Sequence, residues 1–149
     1  MDVFTAACGY PGFGPQDPVL CPGVPGPDYD FGMAPTFVPG KGGDDRVVVG
    51  RKSGHVYSLS VVNGRVVWTT SVGPGGITGG LSWGIAVDES SVYFTVINGN
   101  YKTWTLQPAG LTINRSAYGA VSLATGAILW QTAVPMNGVS LGPPTVVGM

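Results

Sequence analysis

The sequence predicts an all-β fold made of two stacked, four-stranded antiparallel sheets. Two stretches of eleven residues match at an offset of 62 and end in Trp68 and Trp130. Each stretch contains a glycine between two apolar runs, Gly64 in the first and Gly126 in the second. This is the pattern of strand, turn and strand. Such a unit cannot bury its own apolar face, so we expect the two copies to stack on each other.

Composition supports ordered β-structure with many turns. The 25 glycines and 13 prolines make up about a quarter of the 149 residues, and apolar β-branched runs such as 46–49 separate them. The formal net charge is −1 and the longest basic run is Arg51-Lys52, which excludes the usual electrostatic footprint of nucleic-acid binding. No apolar run approaches the roughly 18–20 residues that span a bilayer, and residues 1–4 do not begin a signal peptide.

The first predicted sheet follows a loop over residues 1–33 that is rich in cysteine, proline and glycine. Its four strands are predicted at 36–38, 46–50, 55–61 and 65–72. The pair Asn63-Gly64 lies between the last two runs and is a strong hairpin signal. We expect this sheet to occupy residues 34–76.

The second predicted sheet follows a glycine-rich link over residues 73–80. Its strands are predicted at 82–87, 92–97, 118–123 and 127–134. A loop inserted over 98–117 accounts for the excess over the roughly 40–50 residues of common propeller repeats. This sheet is expected to occupy residues 77–135. Residues 136–149 are expected to start a third unit, with its first strand at 144–147.

Two successive four-stranded meanders indicate blades of a β-propeller. The predicted fold class is therefore all-β: a partial β-propeller of two antiparallel blades and the start of a third. Propellers close with about four to eight blades, and this sequence provides two. We expect the chain to be a fragment of a longer propeller, or a unit that associates with other blades or with itself.

The two cysteines and a sequon bear on the cellular compartment. Cys8 and Cys21 lie 13 residues apart in the first loop. They are either reduced thiols or a disulfide, and the disulfide is favoured because the loop has no other source of rigidity. Asn114 begins the glycosylation sequon Asn-Arg-Ser. Together these features favour a secreted or extracellular protein, with the signal peptide absent from this chain.

The repeated turn resembles the tryptophan-docking motif of pyrroloquinoline quinone (PQQ) propellers. Gly64 and Trp68 fit that motif in one copy, and Gly126 and Trp130 fit it in the other. The aspartate of the motif is a serine in both copies here. In this family the tryptophan packs on a neighbouring blade, so the resemblance implies that these four residues are structural.

Four further segments, in this order, look like the central part of a polyvinyl alcohol dehydrogenase-like quinoprotein. They are the cysteine-bearing loop that begins at residues 2–4, followed by residues 28–32, 50–54 and 73–84. The resemblance implies hydride transfer from an alcohol to PQQ, with calcium as a second cofactor. It also implies that a vicinal disulfide, a calcium-ligand set and a stacking tryptophan lie on other blades. The isolated chain is therefore expected to be inactive and not to retain the cofactors. The alternative is a non-catalytic PQQ-like scaffold that binds a protein or a ligand.

The same resemblance selects two candidate site residues. Asp30 is the candidate catalytic base and calcium neighbour, because Tyr29-Asp30-Phe31 matches a Trp-Asp-Phe-like context of the family. The chemistry needs a carboxylate there to take the alcohol proton as hydride leaves. Asp28 is a register-shifted alternative, and a simple turn role is open for both. Lys52 is the candidate cofactor contact, since a cation there stabilises the reduced quinone; the alternative is an ordinary hairpin lysine.

Two further residues are weaker candidates. Trp83 follows the glycine run and is a candidate for stacking on the cofactor, although a core or channel-lining role is favoured. Asn98 ends a predicted strand where another blade of the family carries a calcium-binding asparagine. His55 is the one histidine, so neither a zinc site nor a Ser-His-Asp arrangement is indicated. The glycine run precedes neither a Lys-Ser/Thr pair nor a helix, which excludes a phosphate loop.

Overall fold

The computed structural model describes Cys8, residues 19–21 and residues 26–147. Within these residues the chain is nearly all β and has no α-helix, which confirms the predicted fold class. Single 3-10 turns lie at Lys41–Gly43 and Pro135–Asn137, and Cys8 also has 3-10 conformation. No helix among the described residues is long and apolar enough to cross a membrane.

The first sheet is an antiparallel meander in sequence order. Its strands are β1 (Thr36–Val38), β2 (Arg46–Arg51), β3 (His55–Ser60) and β4 (Val66–Ser71). Each end lies within one residue of the predicted boundary. Val48 of β2 and Val56 and Ser58 of β3 are fully buried on one face of the sheet, as expected for a sheet that packs on another.

The second sheet has the same four-stranded plan with a small hairpin inserted. The strands are β5 (Ile85–Val87), β6 (Ser91–Val96), β7 (Trp104–Thr105), β8 (Thr112–Ile113), β9 (Ala117–Ser122) and β10 (Ile128–Ala133). The sheet order is β10-β9-β6-β5, and β7 and β8 pair separately. The region predicted as a loop therefore contains a hairpin, because Leu106 and Ile113 bury their side chains together against Ala117.

The segment after β10 joins neither four-stranded sheet in the described part of the chain. Pro143 packs beside Gly84, where an added Cβ would lie 2.9 Å from the proline Cβ. In both sheets the first strand, β1 or β5, pairs with the second strand. The partner of a first strand at 144–147 would therefore lie later in the sequence. The third unit expected at 136–149 therefore stays a prediction.

The two repeated hairpin turns share one backbone geometry. Gly64 has φ +69° and Gly126 has φ +74°, a left-handed conformation that glycine adopts without strain. Each glycine N–H donates to the carbonyl of the serine four residues earlier, Ser60 or Ser122, at 2.8 Å. In both hairpins a β-bulge lies immediately before the tryptophan. The sequence repeat is thus a repeat of structure down to individual hydrogen bonds.

One apolar core joins the two sheets. Its buried members are Val48, Val56, Val72, Leu81, Val92, Phe94, Val96 and Val121. These residues come from both sheets and from the link between them, so the two sheets share this core. At about 25 cal/mol per Å² of buried apolar surface, this shared face is the main source of stability for both sheets.

Trp68 docks across the two sheets at the edge of this core. Its Nε1 donates to the Leu123 carbonyl at 3.0 Å, and Thr70 Oγ1 donates to the Gly126 carbonyl at 2.7 Å. A Cβ on Gly126 would lie 2.6 Å from the indole of Trp68. Trp130 occupies the equivalent position on the second sheet and is 42% exposed.

The two turns provide a matched test of the docking contact. We expect Gly64→Ala to cost about 1–2 kcal/mol, because alanine is strained in the left-handed conformation. Gly126→Ala should cost a further 1–3 kcal/mol or so, since its methyl group also collides with Trp68. Urea unfolding of both variants at low protein concentration measures the difference. Equal losses of unfolding free energy would contradict the docking contact.

Candidate functional site

The turn between β2 and β3 carries Lys52 at one end of the first sheet. The segment that precedes β1 lies along this turn. The Lys52 N–H donates to the Asp30 carbonyl at 3.1 Å, and Arg51 Nε donates to the Tyr29 carbonyl. These two hydrogen bonds hold the segment where its carboxylates are within reach of the Lys52 side chain.

The Lys52 ammonium lies between two carboxylates. Its Nζ is 2.8 Å from Asp30 Oδ1 and 3.1 Å from Asp28 Oδ2. The side chains of Lys52 and Asp28 are only 17% and 20% exposed, whereas that of Asp30 is 62% exposed. Asp28 is therefore the inner partner of the lysine, and Asp30 is the outer one that faces solvent.

The charge state of Lys52 follows from this geometry. Partial burial acts to lower the pKa of the ammonium, but hydrogen bonds to Asp30 and Asp28 outweigh it and leave the pKa raised. At neutral pH the lysine is therefore a cation and a hydrogen-bond donor. An ammonium has three N–H donors, of which these two carboxylates take two.

The glycine-rich link holds the Lys52 backbone from the other side. The Gly76 N–H donates to the Lys52 carbonyl at 3.1 Å, and the Leu81 N–H donates to the Arg51 carbonyl at 3.1 Å. Gly80 has φ +63°, and a Cβ there would lie 2.2 Å from the Lys52 carbonyl oxygen. The glycine run is thus explained by close backbone approach, which the sequence pattern alone did not reveal.

Arg51 has a separate role on the opposite face of the strand. Its guanidinium carbon lies 5.7 Å from the centre of the Phe31 ring. Phe31 also meets Tyr57 edge to face, with the ring centres 5.7 Å apart. Together with the hydrogen bond from Arg51 Nε to the Tyr29 carbonyl, these contacts anchor the residues on both sides of Asp30. Side chains alternate along a strand, so a role for Arg51 distinct from that of Lys52 is readable in the sequence, but the anchoring of Phe31 is not.

The residue that precedes Trp83 lies beside this cluster. That residue is Ser82, whose carbonyl oxygen would be 3.4 Å from a Cβ on Gly32. The same Cβ would be 3.6 Å from Lys52 Cε. Trp83 is 59% exposed, so it is not part of the core, while stacking on a cofactor and lining a channel stay predictions.

Asn98 is buried and closes a loop. Its Nδ2 donates to the Lys102 carbonyl at 2.7 Å, and its Oδ1 accepts from the Lys102 N–H at 3.0 Å. The Lys102 ammonium in turn donates to the Gly75 carbonyl at 2.7 Å. The Asn98 amide is therefore engaged within its own loop rather than with Asp30.

The described residues hold no cluster of carboxylates of the kind that binds calcium. Calcium takes about six to eight oxygen ligands, and no group of three or more His, Cys, Asp or Glu lies together in the described part of the chain. Asp30 already pairs with an ammonium. At the same end of the first sheet Lys52 offers a cationic donor and Asp30 an exposed carboxylate. A cavity of about 900 Å³ lies at the opposite end of the sheets, lined by residues within 36–46, 87–90 and 122–124.

The structure also describes the two cysteines and the glycosylation sequon. Cys8 and Cys21 form a disulfide, with their Cα atoms 4.7 Å apart. Asn114 is exposed, while Ser116 of the same sequon is buried and its hydroxyl accepts from the Asn98 N–H at 3.1 Å. Glycosylation of Asn114 stays a prediction.

Together these features define an all-β repeat protein with a lysine–carboxylate cluster at one end of its sheets. The chain is 39% identical over 74 residues to a polyvinylalcohol dehydrogenase of Pseudomonas sp, which is 49% of this chain and 12% of that protein. It is 31% identical over 112 residues to a polyvinylalcohol dehydrogenase of Sphingopyxis sp. (strain 113P3), or 74% of this chain and 16% of that protein.

The chain thus spans less than a fifth of the length of these curated relatives. No protein-family model matches it, and no solved structure matches it. The similarity to the two polyvinylalcohol dehydrogenases supports a relationship to dehydrogenase-like proteins.

The raised pKa of Lys52 predicts a pH-dependent stability. Because the folded-state pKa lies above the usual value of about 10.4, the stabilisation is complete below that pH and is lost as pH rises through the folded-state pKa. We expect the difference in unfolding free energy between wild type and Lys52→Met to stay constant from about pH 7 to 9 and then to shrink. Urea unfolding across this range measures it.

Lys41→Met is the matched control, because Lys41 is exposed in a surface turn. Its effect should be small and show no such decline. A Lys52→Met effect that persists unchanged to about pH 12, well above the usual lysine pKa, would show that the ion pairs do not hold the segment.

Proposed function

We propose that this chain is the part of a PQQ-dependent alcohol dehydrogenase, of the polyvinyl alcohol dehydrogenase type, that supplies the catalytic base and a cofactor contact. The supporting observation is the 2.8 Å ion pair between Asp30 and Lys52. These residues are 22 positions apart in sequence, and they are the two that the family resemblance selects. The similarity to two polyvinylalcohol dehydrogenases supports the same parent enzyme.

Asp30 is the proposed base. Alcohol oxidation removes a proton from the hydroxyl group as hydride leaves the carbon. PQQ, when bound, supplies the hydride acceptor. Asp30 is mostly exposed, and its Oδ1 contacts Lys52. Oδ2 is therefore the oxygen that we assign to take the proton.

Lys52 is the proposed cofactor contact. Its ammonium is fixed by Asp28 and Asp30 and stays charged at neutral pH, because its pKa is raised. The third N–H donor is the one we assign to the quinone edge. A fixed cation there stabilises negative charge that develops on reduction, and it does so without reorganisation during the reaction.

The rest of the proposed enzyme lies outside the described residues. Calcium ligands must come from other blades, which either the rest of a longer chain or self-association of this unit supplies. Secretion is part of the proposal, and the disulfide between Cys8 and Cys21 supports it, since such bonds persist in oxidising compartments.

A non-catalytic scaffold is the second candidate, and one observation favours it. Lys52 is held by two carboxylates rather than one, which is also how a structural ion cluster would tie the segment before β1 to the β2–β3 turn. In that case Asp28 and Asp30 are equivalent supports, and neither performs chemistry.

A chimaera distinguishes the two candidates. The matching stretch of the Sphingopyxis enzyme is replaced by this chain, and polyvinyl alcohol oxidation is measured with PQQ, calcium and an artificial electron acceptor. We expect Asp30→Asn to lower kcat by about 10²–10⁴, because the base is lost. Asp28→Asn should lower it less than about ten-fold, since only the position of Lys52 is affected.

The isolated chain is the negative control and should not oxidise the alcohol. Circular dichroism shows whether each variant remains folded. If an active chimaera loses equally little activity with Asp28→Asn and with Asp30→Asn, Asp30 is not the base and the scaffold is favoured.

A further inference from the structure

The contact between the two sheets has two halves, and the chain contains each half twice. The donor half is Trp68 with Thr70, and the acceptor half is the turn that carries the Leu123 and Gly126 carbonyls. The 62-residue offset repeats both halves on the other sheet. One donor half and one acceptor half are therefore left without a partner from the repeat.

The second donor half is Trp130 with Thr132, which correspond to Trp68 and Thr70. In the ladder Trp130 pairs with Ala120 just as Trp68 pairs with Ser58. The bulge before each tryptophan is also the same. Trp130 is 42% exposed, and Thr132 is exposed. The second sheet therefore presents this pair on the face turned away from the first sheet.

The second acceptor half is the turn that carries Val61 and Gly64, which correspond to Leu123 and Gly126. Gly64 has φ +69°, close to the +74° of Gly126. Around Gly126 the indole of Trp68 fills the space next to the missing Cβ, but no described atom lies within 4 Å of that point at Gly64. Val61 is 47% exposed. We call this unoccupied surface of the Val61–Gly64 turn the Gly64 seat. It faces away from the second sheet.

We propose that a second copy of this chain fills these surfaces, with Trp130 of one molecule docked on the Val61–Gly64 turn of the next. The two halves lie on opposite outer faces of the stacked sheets, so one pair of molecules always leaves a donor and an acceptor free. Such a head-to-tail contact either continues or closes into a ring. At two sheets per molecule, about two to four copies provide the four to eight blades of a closed propeller.

Two variants each remove one half of the contact. Trp130→Ala removes the donor and leaves the Gly64 seat intact. Gly64→Asn keeps the left-handed turn, which asparagine tolerates, and places a side chain where the indole must sit. Leu129→Ser is the matched control: its counterpart Val67 stays 44% exposed although Trp68 is docked, so this position lies outside the contact.

Sedimentation velocity over a concentration series tests the proposal. Wild type and Leu129→Ser should pass from the 15.3 kDa monomer to multiples of it. Trp130→Ala and Gly64→Asn should each associate at least about 30-fold more weakly, as expected for loss of a central tryptophan contact. An equimolar mixture of these two variants should form a dimer and stop there, because it contains one intact donor and one intact acceptor.

Circular dichroism and urea unfolding establish that each variant is folded. The proposal is overturned if wild type stays monomeric up to its solubility limit, which would leave these faces to flanking repeats of a longer chain. It is also overturned if Trp130→Ala associates like wild type, or if the folded variants do not combine. None of these results depends on dehydrogenase activity.

Discussion

The seating of Trp68 on the turn of the second sheet is the contact on which the rest of the structure depends. Each meander alone would expose an apolar face that includes Val48 and Val56 in the first sheet, or Phe94 in the second. The indole covers the edge of this face, and its one polar group is paired with the Leu123 carbonyl at 3.0 Å. A buried N–H without such a partner would cost about 1–3 kcal/mol, so the turn provides both shape and a hydrogen bond.

The packing of the sheets in turn determines the geometry of the candidate site. The link between the sheets must cross the β2–β3 turn, and its glycines allow backbone contact with Lys52. The lysine backbone is thus fixed by the link on one side and by the segment before β1 on the other. With its backbone fixed in this way, the side chain meets both Asp28 and Asp30, and the site depends on tertiary structure rather than on a local motif.

Much of the fold was predictable because it depends on local pattern: alternation gave the eight main strands, and the repeat gave the two turns. The pairing of Asp30 with Lys52 agrees with residues chosen by resemblance, whereas the inner position of Asp28 follows from a chain path that no periodicity encodes. Gln131 shows the same limit. Its Nε2 donates to the Val72 carbonyl at 2.7 Å and its Oε1 accepts from the Gln107 N–H at 2.8 Å. A polar residue in a strand suggests exposure, yet here it is buried because two other segments supply its partners.

The architecture and the chemistry are incomplete in related ways. One outer face carries the exposed Trp130, and the other carries the unoccupied Gly64 seat. The Lys52 cluster offers one exposed carboxylate, that of Asp30, whereas calcium needs about six to eight oxygens. Docking through the Trp68 type of contact stacks each sheet in the same orientation, so every added unit presents its β2–β3 type of turn at the end where Lys52 lies. In the proposed assembly, the contact that covers the exposed indole would also bring new side chains to the candidate site, so we expect the proposed assembly and the proposed ligand binding to be coupled.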